Sequence, residues 1–239
     1  MPDETLSEIF ERFIDMEYSH IELVIGAGSA IQPDKIAAQH DSIVYLCRTS
    51  RQVTPVAIYF DLEPETSGFI EMFTDACKLA KACKIVVVSV RASVHGTPFN
   101  EEIDRLRELT QIALFYGVVV GVVTEAGRLT DTPETVGSIC KTVKGLGVTL
   151  DPSHYIYNLP KPKDFETILP YVLHVRLRDT TEKQFQAKVG QGDVEFGRIV
   201  IQLNKADYRG ALCVALEPAV SVDTLAELRK IRLLLESLL

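Results

Sequence analysis

Six apolar runs in this chain stop abruptly at a charged residue, and a stretch of helical periodicity follows each one. They are Thr54 to Asp61, Lys84 to Arg91, Gly117 to Glu125, Gly147 to Asp151, Tyr171 to Arg176 and Ala211 to Glu217. Runs this apolar are too hydrophobic for a sheet with one wet face, so they read as parallel strands covered by helices. A parallel barrel presents its chemistry at strand C-termini, where these charges fall. A seventh run, His20 to Gly26, ends in glycine.

Between the runs the spacing predicts eight helices. The first carries Leu6, Ile9, Phe10, Phe13 and Ile14 on one stripe. A short one has Pro33 in its first turn, with Ile36, Ala37 and His40 on one side. Helix 68–82 presents Phe69, Phe73, Ala76, Cys77 and Ala80. The next is expected to be capped by Asn100, with Glu101 and Glu102 in its positive first turn. Thr132 and Pro133 open the fifth as cap and first-turn proline, and a short helix lies around 165–169. Helix 195–205 and a terminal helix with Leu225, Leu228, Ile231 and Leu235 complete the set.

Strict alternation without a composition break predicts one α/β domain over 1–239. The even spacing of Glu125, Asp151, Arg176 and Glu217 favours a TIM-type (β/α) barrel over an open two-winged sheet. A (β/α)8 barrel opens with a strand, whereas this chain opens with a helix, so the first strand is missing from the pattern. That leaves a seven-stranded barrel with a seam, or a gap covered by a neighbour or by the N-terminal segment. An uncovered parallel edge invites association, and a homodimer sealing it is one expectation.

With 239 residues, 46% apolar, the chain can bury a large core. A net charge of −8 with no basic block argues against nucleic-acid partners, since phosphate contacts need clustered Lys and Arg. Cys47, Cys77, Cys83, Cys140 and Cys213 show no C-x-x-C spacing and read as buried reduced thiols of a cytoplasmic protein. The acidic start Met1-Pro2-Asp3-Glu4 has no signal-peptide character, and no run is long enough to span a bilayer.

On a barrel, Glu125, Asp151, His174 or Arg176, and Glu217 come to one mouth. Three carboxylates in one low-dielectric pocket need a compensating cation, either a divalent metal or a buried guanidinium. His154, three residues past Asp151, reads as a substrate contact. Arg91 at the end of the Lys84–Arg91 run and His95 in the loop after it face the same mouth, as do Glu22 and Asp61 on earlier strands. Asp179 reads as a loop-ordering acceptor, Gly190 and Gly192 as turn residues, and Arg178 and Lys188 as a solvated face, with reach to a phosphate or carboxylate of a ligand as the alternative.

The ordered pieces Glu125, Asp151-Pro152-Ser153-His154, His174-Val175-Arg176-Leu177-Arg178-Asp179, Gly190-Gln191-Gly192-Asp193-Val194-Glu195-Phe196, and Tyr208-Arg209-Gly210 before Glu217 cover about the last half of the chain. Together they resemble the xylose isomerase-like superfamily of sugar isomerases and epimerases, which also holds tagatose and psicose 3-epimerases, hydroxypyruvate isomerase, inosose dehydratase and endonuclease IV. The resemblance implies that Glu125, Asp151 and Glu217 hold Mn, Mg, Co or Zn with a His or Gln. It implies that Glu125 and Glu217 move a proton beside the carbonyl of a sugar or sugar phosphate, and that His154 touches hydroxyls. The family pattern His-x-His-x-x-Asp uses its second His as metal ligand. That position is Arg176 here, and His174 matches the first His. Arginine keeps its proton and cannot ligate a metal. Two readings follow: a metal-dependent isomerase or epimerase, with water or a shifted His174 completing the shell, or a metal-free barrel. In the second, Arg176 replaces the cation and the barrel serves as a ligand-binding or interaction module. Arg176, His174, His154 and His95 are the candidate substrate contacts. A trinuclear zinc nuclease is disfavoured by the small set of His20, His40, His95, His154 and His174 and by the acidic charge.

Overall fold

A computed structural model describes residues 4–218 and 222–239. The start Met1-Pro2-Asp3 of the acidic N-terminal reading lies outside them. Seven parallel strands form one sheet in chain order: β1 (His20–Gly26), β2 (Thr54–Asp61), β3 (Val87–Val90), β4 (Val119–Val123), β5 (Leu146–Leu150), β6 (Val172–Leu177) and β7 (Leu212–Val214). The sheet curls into a nearly closed barrel. No ladder joins β1 to β7, although their nearest Cα atoms approach within 8 Å. The seam expected from the pattern is therefore present.

The outer layer holds α1 (Leu6–Asp15), α2 (Ile36–Thr49), α3 (Phe69–Cys83), α4 (Phe99–Phe115), α5 (Pro133–Thr142), α6 (Phe196–Lys205) and α7 (Thr224–Glu236). Short 3-10 turns lie at Pro33–Lys35, Pro152–Tyr155 and Glu166–Tyr171. The segment expected as a helix near 165–169 is the last of these. Pro170 removes an N–H donor there, so an α-helical ladder cannot run through it. α1 is closed by a capping box: Thr5 Oγ accepts from Glu8 N–H at 3.3 Å, and the Glu8 carboxylate accepts from Thr5 N–H at 2.8 Å. Thr132 caps α5 as its spacing predicts, accepting from Thr135 N–H at 3.2 Å. Asn100 is not a cap. The carbonyl of Pro98 already accepts from Glu102 N–H at 3.3 Å, so α4 starts two residues earlier and Asn100 sits in its first turn. Strand β3 also starts later than the apolar run, because Lys84 takes a left-handed φ of 62° to end α3.

The core lies between the sheet and the helices, with Phe60, Phe73, Leu106, Val120, Val148 and Ile231 fully enclosed. Inside the barrel a buried hydroxyl pair, Ser89 and Thr149 at 2.7 Å, passes over Gly121. A Cβ on Gly121 would collide with Thr149 Oγ1. All five cysteines are free. Burial pushes the Cys77 and Cys140 thiols up to about 12, so they stay protonated packing groups. Among the described residues no helix is long and apolar enough to cross a membrane.

Candidate functional site at the barrel mouth

Alternation along a strand builds the inner wall of the mouth. His174, Arg176 and Arg178 stand two residues apart and share one face. Each meets a carboxylate from another element. His174 Nε2 lies 3.0 Å from Glu22 Oε1 on β1. Arg176 Nε lies 3.2 Å from Glu22 Oε2. Arg178 Nη2 donates to Asp151 Oδ2 at 2.9 Å. Both guanidinium groups rest over aromatic rings: Arg176 is 3.8 Å from the Tyr59 centroid and Arg178 is 4.6 Å from that of Phe185. Arg178 is 4% exposed, so it is part of the wall and not the solvated face expected from sequence.

A second cluster forms around Glu125, just past β4. Its carboxylate accepts from Arg91 Nε at 3.0 Å and also from Arg91 Nη2, with Arg128 Nε at 2.9 Å. Glu63 binds the other ends of the same arginines, accepting from Arg91 Nη1 at 2.5 Å and from Arg128 Nη2 at 2.8 Å. Arg128 Nη1 donates to the Ala92 carbonyl at 2.7 Å.

These pairs decide the charge states. Burial raises the Glu125 carboxyl, but the Arg91 hydrogen bond and the charges of Arg91 and Arg128 outweigh it and hold the group below the usual carboxylate range. Asp151 is 1% exposed. Burial raises it too, and the charges of Arg178 and His154 with the Ser153 hydroxyl bring it below the usual range. Glu22 follows the same pattern, with burial opposed by Arg176 and His174. For His154, burial is the largest influence and lowers its pKa. Its Nδ1 accepts from Ala126 N–H at 3.2 Å, so the neutral ring carries its proton on Nε2, 3.9 Å from Asp151 Oδ2.

The remaining candidates are placed as follows. Glu217 lies beyond β7, which ends at Val214. Its backbone is clamped by the Gln186 amide through bonds of 2.7 and 2.8 Å, while its side chain is 80% exposed, with Oε1 3.7 Å from Arg178 Nη1. His95 stands on a loop with Nε2 2.9 Å from Asp131 Oδ2, half exposed and outside the cavity. Asp179 orders the following loop: its carboxylate accepts from the N–H groups of Thr180, Gly190 and Gly192 at 3.0, 2.7 and 3.0 Å. Glu125, Asp151, His154, Arg176, Arg178 and Glu217 line one cavity of about 740 Å³. That cavity continues to the flank between β1 and β7, where Leu6, Phe13 and Leu228 give it an apolar wall. His174 is buried and does not line this cavity.

Sequence reading missed Arg128, Glu63, Tyr59 and Phe185, and undervalued Glu22 and Arg178. The period-2 step from Arg176 to Arg178 was the one available signal, since both must face inward together. The others meet only through the fold.

The side chains present do not form a cage for a divalent ion at the expected position. Glu125 and Asp151 are already committed to arginines, and a guanidinium fills the place of the histidine ligand. Among the described residues one trio brings ligand atoms within 4.8 Å of one another, and it is Glu22, His174 and Cys213. That trio already has a cation, because Arg176 is paired to the same Glu22. Burial also drives the Cys213 thiol upward, against the thiolate a metal would need.

A family model described as xylose isomerase-like TIM barrel matches residues 10–234. The chain belongs to that family. Solved structures agree on the fold. A D-tagatose 3-epimerase-like protein shares 21% identity at a TM-score of 0.76, covering 98% of this chain and 95% of that one. The 3-keto-D-glucoside 4-epimerase YcjR from E. coli, in its apo form, gives 14% and 0.77, with 98% and 95% covered. The IOLI protein, solved with a binding zinc atom, gives 17% and 0.75, with 98% and 93% covered. Among curated proteins there is no sequence match.

Proposed function

We propose that this chain is a metal-independent member of its family, whose mouth receives a small polyhydroxylated, sugar-type ligand, with Arg176 supplying the positive charge. One observation carries the reading. The buried carboxylates of the mouth are neutralised by arginines of the same chain: Glu22 by Arg176, Asp151 by Arg178, and Glu125 by Arg91 and Arg128. The electrostatic demand that a dication would meet is thereby met from within. The sugar-type ligand is supported by the epimerase neighbours and by a cavity of about 740 Å³.

A second reading, turnover as an isomerase or epimerase, is favoured by Glu125 and Glu217 lining the same cavity. In it, Glu217 takes a proton from the carbon beside a carbonyl and Arg176 holds the oxygen as negative charge develops. Glu125 is a weak base while two arginines hold it, and it acts only if the ligand draws Arg91 away.

Elemental analysis of the purified protein and calorimetric titration with Mn²⁺ and Zn²⁺ test the first reading. Metal-free protein that takes up neither ion is expected. About one tightly held ion per chain overturns it. Proton exchange into a panel of ketoses in D2O, followed by NMR, separates the second reading from simple binding, and exchange lost in Glu217→Gln supports it.

A further inference from the structure

The four arginines of the mouth fall into two kinds. Arg91 and Arg128 use their nitrogens fully on Glu125, Glu63 and the Ala92 carbonyl. Arg176 and Arg178 do not. A guanidinium carries five N–H donors. Among the described residues Arg176 makes no hydrogen bond: its buried Nε sits 3.2 Å from Glu22 Oε2 but is unbonded, and its two terminal nitrogens, which are not enclosed, make none either. Arg178 spends Nη2 on Asp151, and its buried Nε and Nη1 are without a hydrogen bond, with the exposed Glu217 carboxylate 3.7 Å from Nη1. Other unbonded arginine nitrogens, on Arg12, Arg105 and Arg232, belong to side chains that hydrogen-bond through other nitrogens and do not line this cavity.

Buried donors without acceptors are costly, most of all on charged groups. Arg178 has two such nitrogens and Arg176 has one, its Nε; both side chains line one cavity and are organised for something that brings acceptors. Tyr59 and Phe185 cover their faces and leave the donor-bearing edges for that role. At these two groups a neutral hydroxyl fits poorly, because it must also donate and a guanidinium offers only donors. A carboxylate or phosphate accepts only, and its oxygens match the fork of a guanidinium.

We infer that the ligand of this mouth carries an anionic group, a carboxylate or a phosphate, held jointly by Arg176 and Arg178. The inference rests on the reading of the mouth as a sugar-type ligand site and narrows its ligand to sugar acids or sugar phosphates. Arg176 is then a specificity-determining contact and not only a substitute for a metal.

Calorimetric titration of the full-length protein with D-glucitol, D-gluconate, D-glucitol 6-phosphate and inorganic phosphate tests it. Gluconate or glucitol 6-phosphate is expected to bind at least tenfold tighter than glucitol, and which of the two wins tells carboxylate from phosphate. The preference weakens as salt rises, a readout on the wild-type protein that needs no variant. In Arg176→Met the anionic preference falls to within about twofold, and Arg176→Lys recovers part of it, with thermal unfolding by circular dichroism reporting that each variant is folded. Glucitol binding as tightly as the anionic polyols overturns the inference and leaves the sugar-type site standing. Inorganic phosphate binding without any polyol does the reverse. No binding by any of the four overturns both.

Discussion

Asp151 shows how one side chain depends on its partner. It is enclosed, charged and tied to Arg178 at 2.9 Å, with Ser153 N–H at 3.1 Å on its other oxygen. Removing one member of a buried pair leaves the other uncompensated, at a cost of about 3–5 kcal/mol. Arg178→Met is expected to lose about that much in urea unfolding. Adding Asp151→Asn to it should restore most of the loss, because an amide tolerates burial without a cation. A double variant no more stable than Arg178→Met would sink this account of the pair. Part of this was legible before folding: Asp151 and Arg176 stand at strand ends, and the mouth's need for a positive charge follows from its carboxylates. The identity of each partner was not legible, because Glu22, 152 residues from the His174 it meets, has no local signal pointing to it.

The loop after β6 is held by one carboxylate and two glycines. Asp179 collects three backbone N–H groups, and Gly192 comes so close that a Cβ there would overlap the carboxylate itself. Gly190 is needed for a different reason, its left-handed φ of 82°. Gly192→Ala is expected to destabilise the fold by about 1–3 kcal/mol, and Asp179→Ala to open the loop to proteolysis between 180 and 193. Equal resistance of Asp179→Ala and wild type to limited digestion would remove Asp179 from this role. This loop carries Phe185 over Arg178 and Gln186 onto Glu217, so its order reaches the mouth. The turn role of Gly190 was readable from residue type alone. The close approach of Gly192 was not, since its backbone angles are ordinary and only the position of Asp179 forbids a side chain.

Across the whole molecule, charge and topology set two further behaviours. Glu22, Glu125 and Asp151 are all held below their unfolded values. Their contribution is complete above the ordinary carboxylate range, about pH 5, and is lost as pH falls toward the depressed folded values, where the unfolded chain binds more protons. The lowered His154 adds in the same direction, with its share present above about pH 6.5 and lost below it. The urea midpoint is therefore expected to fall steadily from pH 7 to pH 3.5, and a flat profile would contradict the paired arrangement. The seam gives the second behaviour. β7 is short, half-buried and hydrogen-bonded on one edge only, whereas β4 and β5 are paired on both sides. Amide exchange should be fastest at Leu212–Val214 and slowest in β4 and β5, and protection of β7 equal to that of β5 would mean the seam is closed. Alternation of apolar runs and helices, read from sequence alone, determined the parallel barrel, its missing first strand and the end at which charges gather, because strand and helix periods are local properties. Only the tertiary structure decided that arginines neutralise that end, that Arg178 is wall and not surface, and that β7 stops short of Glu217. Ion pairing and burial depend on which distant segments meet, and nothing along the chain records that.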